Sequence, residues 1–485
     1  MTLSDEKAST REAKVRRLFA AFERDSLRTC VWKSADRWQD GIAGKTDIDL
    51  LVAQDQMAKA ADCLIREGWI PAQAESWRSF PDVLDFVAFE QCESLHLHLH
   101  GRIVSGEKMV KSLRAPLTAL YLRHTSPGSY PAFVRPELEF ILLLVRMTLK
   151  VSLIDVAGAI KRRSRIALYR NYVAEYEDLR RKCNRREIAD LLQEPELRIL
   201  PADIILAAYD NLASLDVAGR RAIRRSISSW REIGWPGIRL RTFWRNLLKR
   251  WQGVGKTLPF PGLSIAVCGP DGSGKTTLVT ALRKKLSRQI RTRSFYMGGN
   301  MRQPGPLRGV VMRSIWFPYL VTRKAFKIVG WRSAVSCIEV LYSCLNSSLM
   351  RAEKMRRLAS ARKAIARGEI ALFERFPLFY PHGDDMPDSL HNGGTGQERG
   401  PDLLVLLDVA EDVAIARRPD DNHDILRKKI AAFQQFGAAP NLPDTEAIVL
   451  DANSPVAASL SAILDRVTSR LSAMAQAKRT AEEHP

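Results

Sequence analysis

Residues 269–277 combine the residue types and the spacing of a phosphate-binding loop. They read GPDGSGKTT, which fits the pattern of a glycine, four residues, and then glycine, lysine and threonine. An apolar run precedes this loop, and leucines at helical spacing follow it. Backbone N–H groups and the start of the outgoing helix would surround a phosphate, Lys275 would reach the β- and γ-phosphates, and the Thr276 hydroxyl would ligate Mg²⁺. The predicted nucleotide-binding residues are Gly269, Pro270, Asp271, Gly272, Ser273, Gly274, Lys275, Thr276 and Thr277.

Residues 262–475 contain the strands and helices that must position this loop, because apolar runs alternate there with helical patterns. Such alternation is typical of an α/β fold with a doubly wound parallel sheet. One predicted strand delivers Glu374-Arg375, a second ends at Asp408, and a predicted helix carries Arg417-Arg418. The sequence therefore predicts that acidic and basic side chains from separate elements accompany the loop.

In order and spacing, these motifs resemble thymidylate kinase, a nucleoside monophosphate kinase with a P-loop. The resemblance implies that Glu374 lies near the magnesium ion and that Arg375 lies across the transferring phosphoryl group. It further implies that Asp271 contacts the acceptor sugar, and that Arg417 and Arg418 belong to a mobile lid. The resemblance as a whole implies an enzyme that uses ATP and Mg²⁺ to phosphorylate a small acceptor, by default a nucleoside monophosphate such as dTMP.

The acceptor is the part of this interpretation that the sequence leaves open. Cys268 stands where the family has a glutamate, residues 377–381 lack the family's acceptor segment, and residues 391–396 form a glycine-rich insert. These departures favour a second hypothesis, in which the C-terminal part binds ATP as a sensing or assembly module and transfers no phosphoryl group.

The N-terminal part holds a second candidate site, in which Asp47 and Asp49 point to one face of a predicted strand. Together with residues 32–34 (WKS), these acids resemble the nucleotidyltransferase superfamily of the DNA polymerase beta type, which implies an α+β fold and Mg²⁺ on Asp47 and Asp49. His98 occupies the place of the family's third carboxylate. Histidines 96, 98 and 100 alternate along a later predicted strand, so they form either a metal site or a hydrogen-bonded strand face. Nucleotidyl transfer by this part is the third functional hypothesis.

With 485 residues, the chain is long enough for several domains. We predict a nucleotidyltransferase-like domain over residues 1–125, a helical connector over 126–256, a thymidylate-kinase-like domain over 257–475, and a disordered tail over 476–485. The seven cysteines form no CxxC pair and no zinc spacing, and the polar N-terminus lacks a secretory signal. These features predict a cytoplasmic protein with reduced thiols.

The net charge of +21 is concentrated in residues 220–250, where ten lysines and arginines face one glutamate. Such a segment is either a basic surface for nucleic acid or anionic lipid, or the solvated face of a helix. The sequence contains no RNA- or DNA-binding motif and no apolar stretch long enough for a transmembrane helix. The expected partner is therefore a small-molecule nucleotide, and the sequence is also compatible with a homodimer.

Overall fold

The structure of the chain is a computed structural model. It describes residues 3–76, 78–90, 93–107, 110–125, 130–150, 172–252, 255–298, 306–376, 400–438, 442 and 444–483. The chain divides into two compact units, Met1–Lys256 together with Thr468–Pro485, and Thr257–Val467. The second unit starts at Thr257, and the expected division into domains stays a prediction. The boundary at residue 125 falls inside the first unit and stays a prediction.

A mixed five-stranded sheet organises the first unit, in the order β1-β2-β5-β4-β3. β2 runs parallel to β5, and the other neighbouring pairs are antiparallel. Because β2 and β5 are parallel neighbours, Asp49 lies opposite His98. The strands of this sheet are β1 Thr29–Val31, β2 Ile48–Val52, β3 Ile70–Ala72, β4 Val83–Glu90 and β5 Glu93–His100, and a separate two-stranded sheet contains β6 Ile103–Ser105 and β7 Leu113–Ala115.

Helices pack on the mixed sheet and then continue through the segment that we expected to be a helical connector. The longest apolar helix of this segment, Pro136–Lys150, is almost wholly buried, because apolar side chains cover most of its circumference. Part of the predicted helix over residues 167–181 falls outside the described residues. The helices are α1 Leu3–Arg24, α2 Trp38–Ile42, α3 Met57–Arg66, α4 Thr118–Arg123, α5 Pro136–Lys150, α6 Val173–Lys182, α7 Arg185–Leu191, α8 Ala202–Asp210, α9 Val217–Ser226 and α10 Trp235–Gln252.

A five-stranded sheet organises the second unit, and its paired strands are all parallel in the order β12-β11-β8-β10-β9. This confirms the predicted parallel sheet. The central strand β8 continues into the glycine-rich loop, and its two neighbours come later in the chain. Ligands of open parallel sheets bind at the carboxyl ends of the strands, where the strand order changes direction. The strands are β8 Ser264–Cys268, β9 Thr292–Tyr296, β10 Ile370–Glu374, β11 Leu403–Asp408 and β12 Glu446–Asp451.

The helices of the second unit include a long pair between β9 and β10. The second helix of that pair packs against the sheet near its end, where Leu358, Ala361 and Ala364 are buried. None of the helices in the described part of the chain has the length and apolarity that a bilayer span requires. The helices are α11 Lys275–Leu286, α12 Pro306–Ile328, α13 Arg332–Ala366, α14 Glu411–Arg417, α15 His423–Ala438 and α16 Val456–Glu483, and the residues of α16 from Thr468 onward belong to the first unit.

The last helix differs from the expectation for the end of the chain. We expected a disordered tail over residues 476–485, but α16 continues to Glu483. Buried Leu471 and Ala475 lie on this helix just before the charged segment. The apolar spacing thus extends the helix further than the charged composition of its last turns suggested.

Candidate functional sites

The glycine-rich loop of the second unit turns sharply between β8 and α11. Gly272 and Gly274 have φ angles of +83° and +86°, which residues other than glycine rarely adopt. A Cβ atom on Gly272 would lie 3.1 Å from the Ala414 carbonyl oxygen, so space as well as conformation requires glycine there. Gly274 is the residue before the first turn of α11, whose free N–H groups can bind an anion. The loop therefore has the backbone geometry of a phosphate cradle.

Lys275 lies buried within this loop and folds back over it. Its Nζ donates hydrogen bonds to the carbonyl oxygens of Gly269 and Pro270, at 2.9 and 2.7 Å. Burial, together with the positive charge of Arg375, lowers the pKa of Lys275 to about 8. A bound phosphate would add negative charge beside this ammonium group, which already lies 3.8 Å from Asp271.

Asp271 gathers positive side chains at the mouth of the loop. One of its oxygens accepts a hydrogen bond from Arg375 at 2.7 Å, and the other accepts one from Lys429 at 3.1 Å. Lys275 lies 3.8 Å away. Burial alone would raise the pKa of Asp271, but the charges of these three residues together lower it. Asp271 therefore pairs with three cations in the structure. Sequence analysis did not identify Lys429 as one of these partners.

Thr276 and Glu374 bring two oxygen donors together beside the loop. The Thr276 hydroxyl donates a hydrogen bond of 2.5 Å to Glu374 Oε1. Glu374 ends β10, which is hydrogen-bonded to β8, so the parallel register places the carboxylate next to the loop. A hydroxyl and a carboxylate oxygen are ligands that suit Mg²⁺, so this pair fits the predicted metal site.

Arg417 and Arg418 end helix α14 close to the same loop. Arg417 donates hydrogen bonds to the carbonyl oxygens of Gly272 at 3.1 Å and Ala452 at 3.5 Å. A Cβ atom built on Gly272 would lie 3.6 Å from Cγ of Arg418. Both predicted arginines therefore lie beside the loop, and their role in a mobile lid stays a prediction.

A second group of cations lies beyond the ends of β9 and β10. Arg308 is 4% exposed, donates a hydrogen bond to Asn346 at 3.2 Å and lies 3.7 Å from Glu353. Burial lowers the pKa of Lys354, and the charges of Arg308 and Arg375 lower it further. Arg357 donates a hydrogen bond to the backbone carbonyl of Tyr296. Sequence reasoning missed this group, because no motif marks these residues.

Two departures from the resemblance concern the acceptor. Cys268, at the end of β8, is fully buried, and burial raises the pKa of its thiol to about 12, so it supplies no charge to the site. Residues 377–381 and the insert at 391–396 lie outside the described residues.

An unbroken row of carboxylates and imidazoles crosses three strands of the first unit. Its members alternate in the order Asp47, His96, Asp85, His98, Asp49 and His100, with successive oxygen–nitrogen distances of 2.5, 3.1, 3.0, 3.2 and 3.0 Å. Asp85 lies opposite His98 in the antiparallel register of β4 and β5. The sequence predicted Asp47, Asp49 and the three histidines as candidates, whereas Asp85 was missed. The histidines form hydrogen bonds with the carboxylates across the strand face, and metal binding by these residues stays a prediction.

Two lysines contact this row. Lys33 Nζ lies 2.9 Å from Asp49, and Lys256 Nζ lies 2.9 Å from Asp85 and also contacts His96. Burial lowers the pKa of His100 to about 3. Burial also acts to lower the pKa of His98, but its contacts with Asp49 and Asp85 raise it overall. The row is thus a charged cluster whose carboxylates have cationic neighbours.

A cavity of about 340 Å³ opens next to this row. Asp47 and Asp49 line it together with three basic side chains, Lys33, Arg37 and Lys45. Ser34, one of the residues 32–34 that carry the resemblance, also lines the cavity and has a φ angle of +58°. The cavity therefore combines an acidic pair with cations and a tight turn.

The comparison with known proteins gives a partial relationship. No protein family profile matches the chain. The chain is 25% identical to the uncharacterized ATP-binding protein YghR of Escherichia coli strain K12, over 40% of this chain and 82% of that protein. The same figures hold for YghR of Escherichia coli O6:H1.

Solved structures similar to the chain include two of deoxyadenosine kinase from M. mycoides. One, with bound dATP, is 16% identical with a TM-score of 0.27, and it matches 42% of this chain and 98% of that one. The other, with the products dCMP and dCDP, is 18% identical with a TM-score of 0.26, and it matches 43% and 100% of the two chains.

Proposed function

We propose that the second unit transfers the γ-phosphoryl group of ATP to a small phosphorylated acceptor, by default a nucleoside monophosphate such as dTMP. One observation supports this proposal above all: a single glycine-rich loop is surrounded by Lys275, Asp271, Arg375 and the hydrogen-bonded pair of Thr276 and Glu374. ATP as the donor is supported by the loop and by the similarity to a relative named as an ATP-binding protein.

Each residue has a role that its contacts support. The loop N–H groups and Lys275 bind the β- and γ-phosphates, while Thr276 and Glu374 hold Mg²⁺, which when bound neutralises phosphate charge. Arg375 leaves Asp271 and turns towards the transferring phosphoryl group. Arg417 and Arg418 add positive charge and exclude water. Phosphoryl transfer depends mainly on such positioning and charge neutralisation.

The cations beyond β9 and β10 support an acceptor that itself carries a phosphate. This group contains three cations, Arg308, Lys354 and Arg357, and one described acid, Glu353. The charges of Arg308 and Arg375 both lower the pKa of Lys354. Because Arg375 belongs to both groups, a phosphomonoester bound there would lie next to the γ-phosphate. A doubly charged phosphate suits such a site better than a neutral alcohol does.

The first test is transfer of labelled γ-phosphate from ATP to a panel of nucleoside monophosphates and sugar phosphates. Lys275→Ala should abolish transfer, whereas Lys284→Ala on the exposed side of the same helix should not. ATP binding by the wild type, without phosphorylation of any acceptor in the panel, would instead favour the sensing or assembly module.

The second test addresses the acceptor site. Lys354→Ala should raise KM for the acceptor about 10-fold or more and leave KM for ATP nearly unchanged, because it removes a charge-assisted contact to the acceptor and leaves the loop residues in place. Arg356→Ala, on an exposed neighbouring position, is the matched control. An equal effect of both variants would contradict the proposed acceptor position.

The cavity of the first unit favours nucleotidyl transfer as a second candidate function. Asp47 and Asp49 would hold Mg²⁺, and Lys33, Arg37 and Lys45 would bind the triphosphate of the incoming nucleotide. The test is transfer of an α-phosphate-labelled nucleotide to the same panel. We expect Asp47→Ala to abolish it, and transfer that survives in Asp47→Ala would exclude this function.

A further inference from the structure

We propose that the acid–histidine row of the first unit binds a divalent transition-metal ion of the Zn²⁺ class through Asp47, His96 and His98. The proposal shares carboxylates with the second candidate function, but metal binding requires no transfer reaction and can be measured without one. It differs from the magnesium site implied by the resemblance, because two of its three ligands are imidazoles.

The donor atoms already lie close together. One ligand atom of each of Asp47, His96 and His98 lies within 4.8 Å of the others. His96 Nδ1 is 2.5 Å from one oxygen of Asp47, and His98 Nδ1 is 3.9 Å from the other. Ligands of a four-coordinate zinc ion are separated by about 3.3 Å, given metal–ligand bonds of about 2.0 Å. Small side-chain rotations therefore suffice to surround an ion.

Asp85 supplies the support that metal-binding imidazoles need. Its Oδ1 contacts the Nε2 atoms of His96 at 3.1 Å and His98 at 3.0 Å, on the side of each ring opposite to Asp47. A carboxylate that binds the distal nitrogen of a metal-ligating histidine fixes the ring orientation and raises its basicity. One carboxylate thus orients both rings, and Lys256 balances its charge.

The cavity gives the ion access and an open coordination position. The Asp47 side chain is 44% exposed and lines the cavity, whereas those of His96 and His98 are 6% and 20% exposed. Asp49 Oδ1 lies 3.2 Å from His98 Nδ1 but pairs with Lys33 at 2.9 Å, so Asp49 is left out of the proposed ligand set. Three protein ligands with an adjacent open position are typical of zinc sites that bind water or substrate.

The donor set decides the kind of metal. Imidazole nitrogens suit zinc, copper, iron and nickel, whereas magnesium prefers carboxylates and water. A site with two imidazoles should therefore select Zn²⁺ or Co²⁺ even when Mg²⁺ is in large excess.

The experiment uses the full chain, freed of metal and without nucleotide. Co²⁺ is titrated while the visible d–d absorption is followed, and Zn²⁺ binding is measured by calorimetry with and without a large excess of Mg²⁺. We expect about one Co²⁺ per chain with visible bands, displacement by Zn²⁺, and no competition from Mg²⁺. Absence of the visible bands, or competition by Mg²⁺, would overturn the proposal.

Variants assign the ligands. His98→Gln and Asp47→Asn should lose the Co²⁺ bands, and Asp85→Asn should weaken Zn²⁺ binding about 10- to 100-fold. His124→Gln, a histidine outside the row, is the matched control. His100→Gln should retain the bands, because His100 contacts Asp49 alone among the acids of the row. Loss of the bands in His100→Gln or their retention in His98→Gln would overturn this ligand set.

One further variant changes the metal preference of the site instead of removing a ligand. His98→Asp keeps a ligand at this position and replaces an imidazole by a carboxylate, so the preference should move from Zn²⁺ towards Mn²⁺ and Mg²⁺. An unchanged preference for Zn²⁺ in folded His98→Asp would contradict the role of His98.

Discussion

Nucleotide binding by the second unit should be coupled to proton uptake through Lys275. The pKa of its ammonium group is lowered to about 8 in the free protein, by burial and by the charge of Arg375. If the γ-phosphate of ATP binds beside Lys275, its negative charge will raise this pKa towards the ordinary range for lysine. Binding then draws a proton from solution whenever Lys275 was neutral beforehand.

The magnitude follows from the free-protein pKa of about 8. The neutral fraction of Lys275 is about 0.1 near pH 7, about 0.5 near pH 8 and about 0.9 near pH 9. Proton uptake per bound nucleotide should rise by the same steps. ATP itself is fully ionised near pH 8 and pH 9, so it contributes little between these two values.

The assay is calorimetry of ATP binding in pairs of buffers that differ in ionisation enthalpy. The difference in observed heat, divided by the difference in ionisation enthalpy, gives the number of protons taken up. Lys275→Arg is the matched control, because arginine stays protonated throughout this range. Uptake that stays flat between pH 8 and pH 9, or that Lys275→Arg retains, would refute this account of the loop.

Three further predictions concern stability and the loop. Gly330→Ala should cost about 1 kcal/mol because this glycine has a positive φ, and Gly272→Ala should cost more because its Cβ atom would also crowd the Ala414 carbonyl oxygen. Only Gly272→Ala should weaken ATP binding, and the two effects are measured by thermal unfolding and calorimetry. Burial raises the pKa of Glu139 to about 7, so this carboxyl group ionises at lower pH in the unfolded chain than in the folded chain, and the stability of the fold falls between about pH 4.5 and 7. Glu139→Gln should therefore stabilise the first unit by up to about 3 kcal/mol near pH 8 and leave its stability near pH 4 unchanged. Urea unfolding at the two pH values tests this. The pKa of Asp271 is lower in the folded protein than its ordinary value of 3.8, so ionised Asp271 stabilises the fold above pH 3.8, and this stability is lost as the pH falls through the pKa of the folded state. Asp271→Asn should therefore reduce the loss of stability in acid, as measured by urea unfolding.

Local patterns predicted the elements that hold the loop. The apolar runs around residues 264–268, 370–374 and 403–408 became parallel strands because each is apolar enough to be buried on both faces. The loop itself is defined by its glycines and Lys275, which are close in sequence. These features depend on neighbouring residues, so a single sequence is enough to find them.

Residues that reach the sites across long sequence separations could not be predicted in this way. Asp85 joins the acid–histidine row only because of the antiparallel register of β4 and β5. Lys429 contacts Asp271 from a helix 158 positions further along the chain. Nothing in the immediate sequence of Lys354 distinguishes it from the other basic residues of helix α13. Their roles depend on packing, which no local spacing encodes.

Arg375 combines an unfavourable backbone conformation with a side chain that forms a partly buried ion pair. Its φ angle of +68° lies in a region where glycine is comfortable and arginine is not. Replacement by glycine would relieve the backbone by about 1 kcal/mol, and would remove the guanidinium group that binds Asp271. Loss of that group would also leave the partly buried Asp271 with fewer cationic partners, and this cost opposes the relief of the backbone. The ion pair with Asp271 therefore retains arginine at this position for the fold as well as for the site.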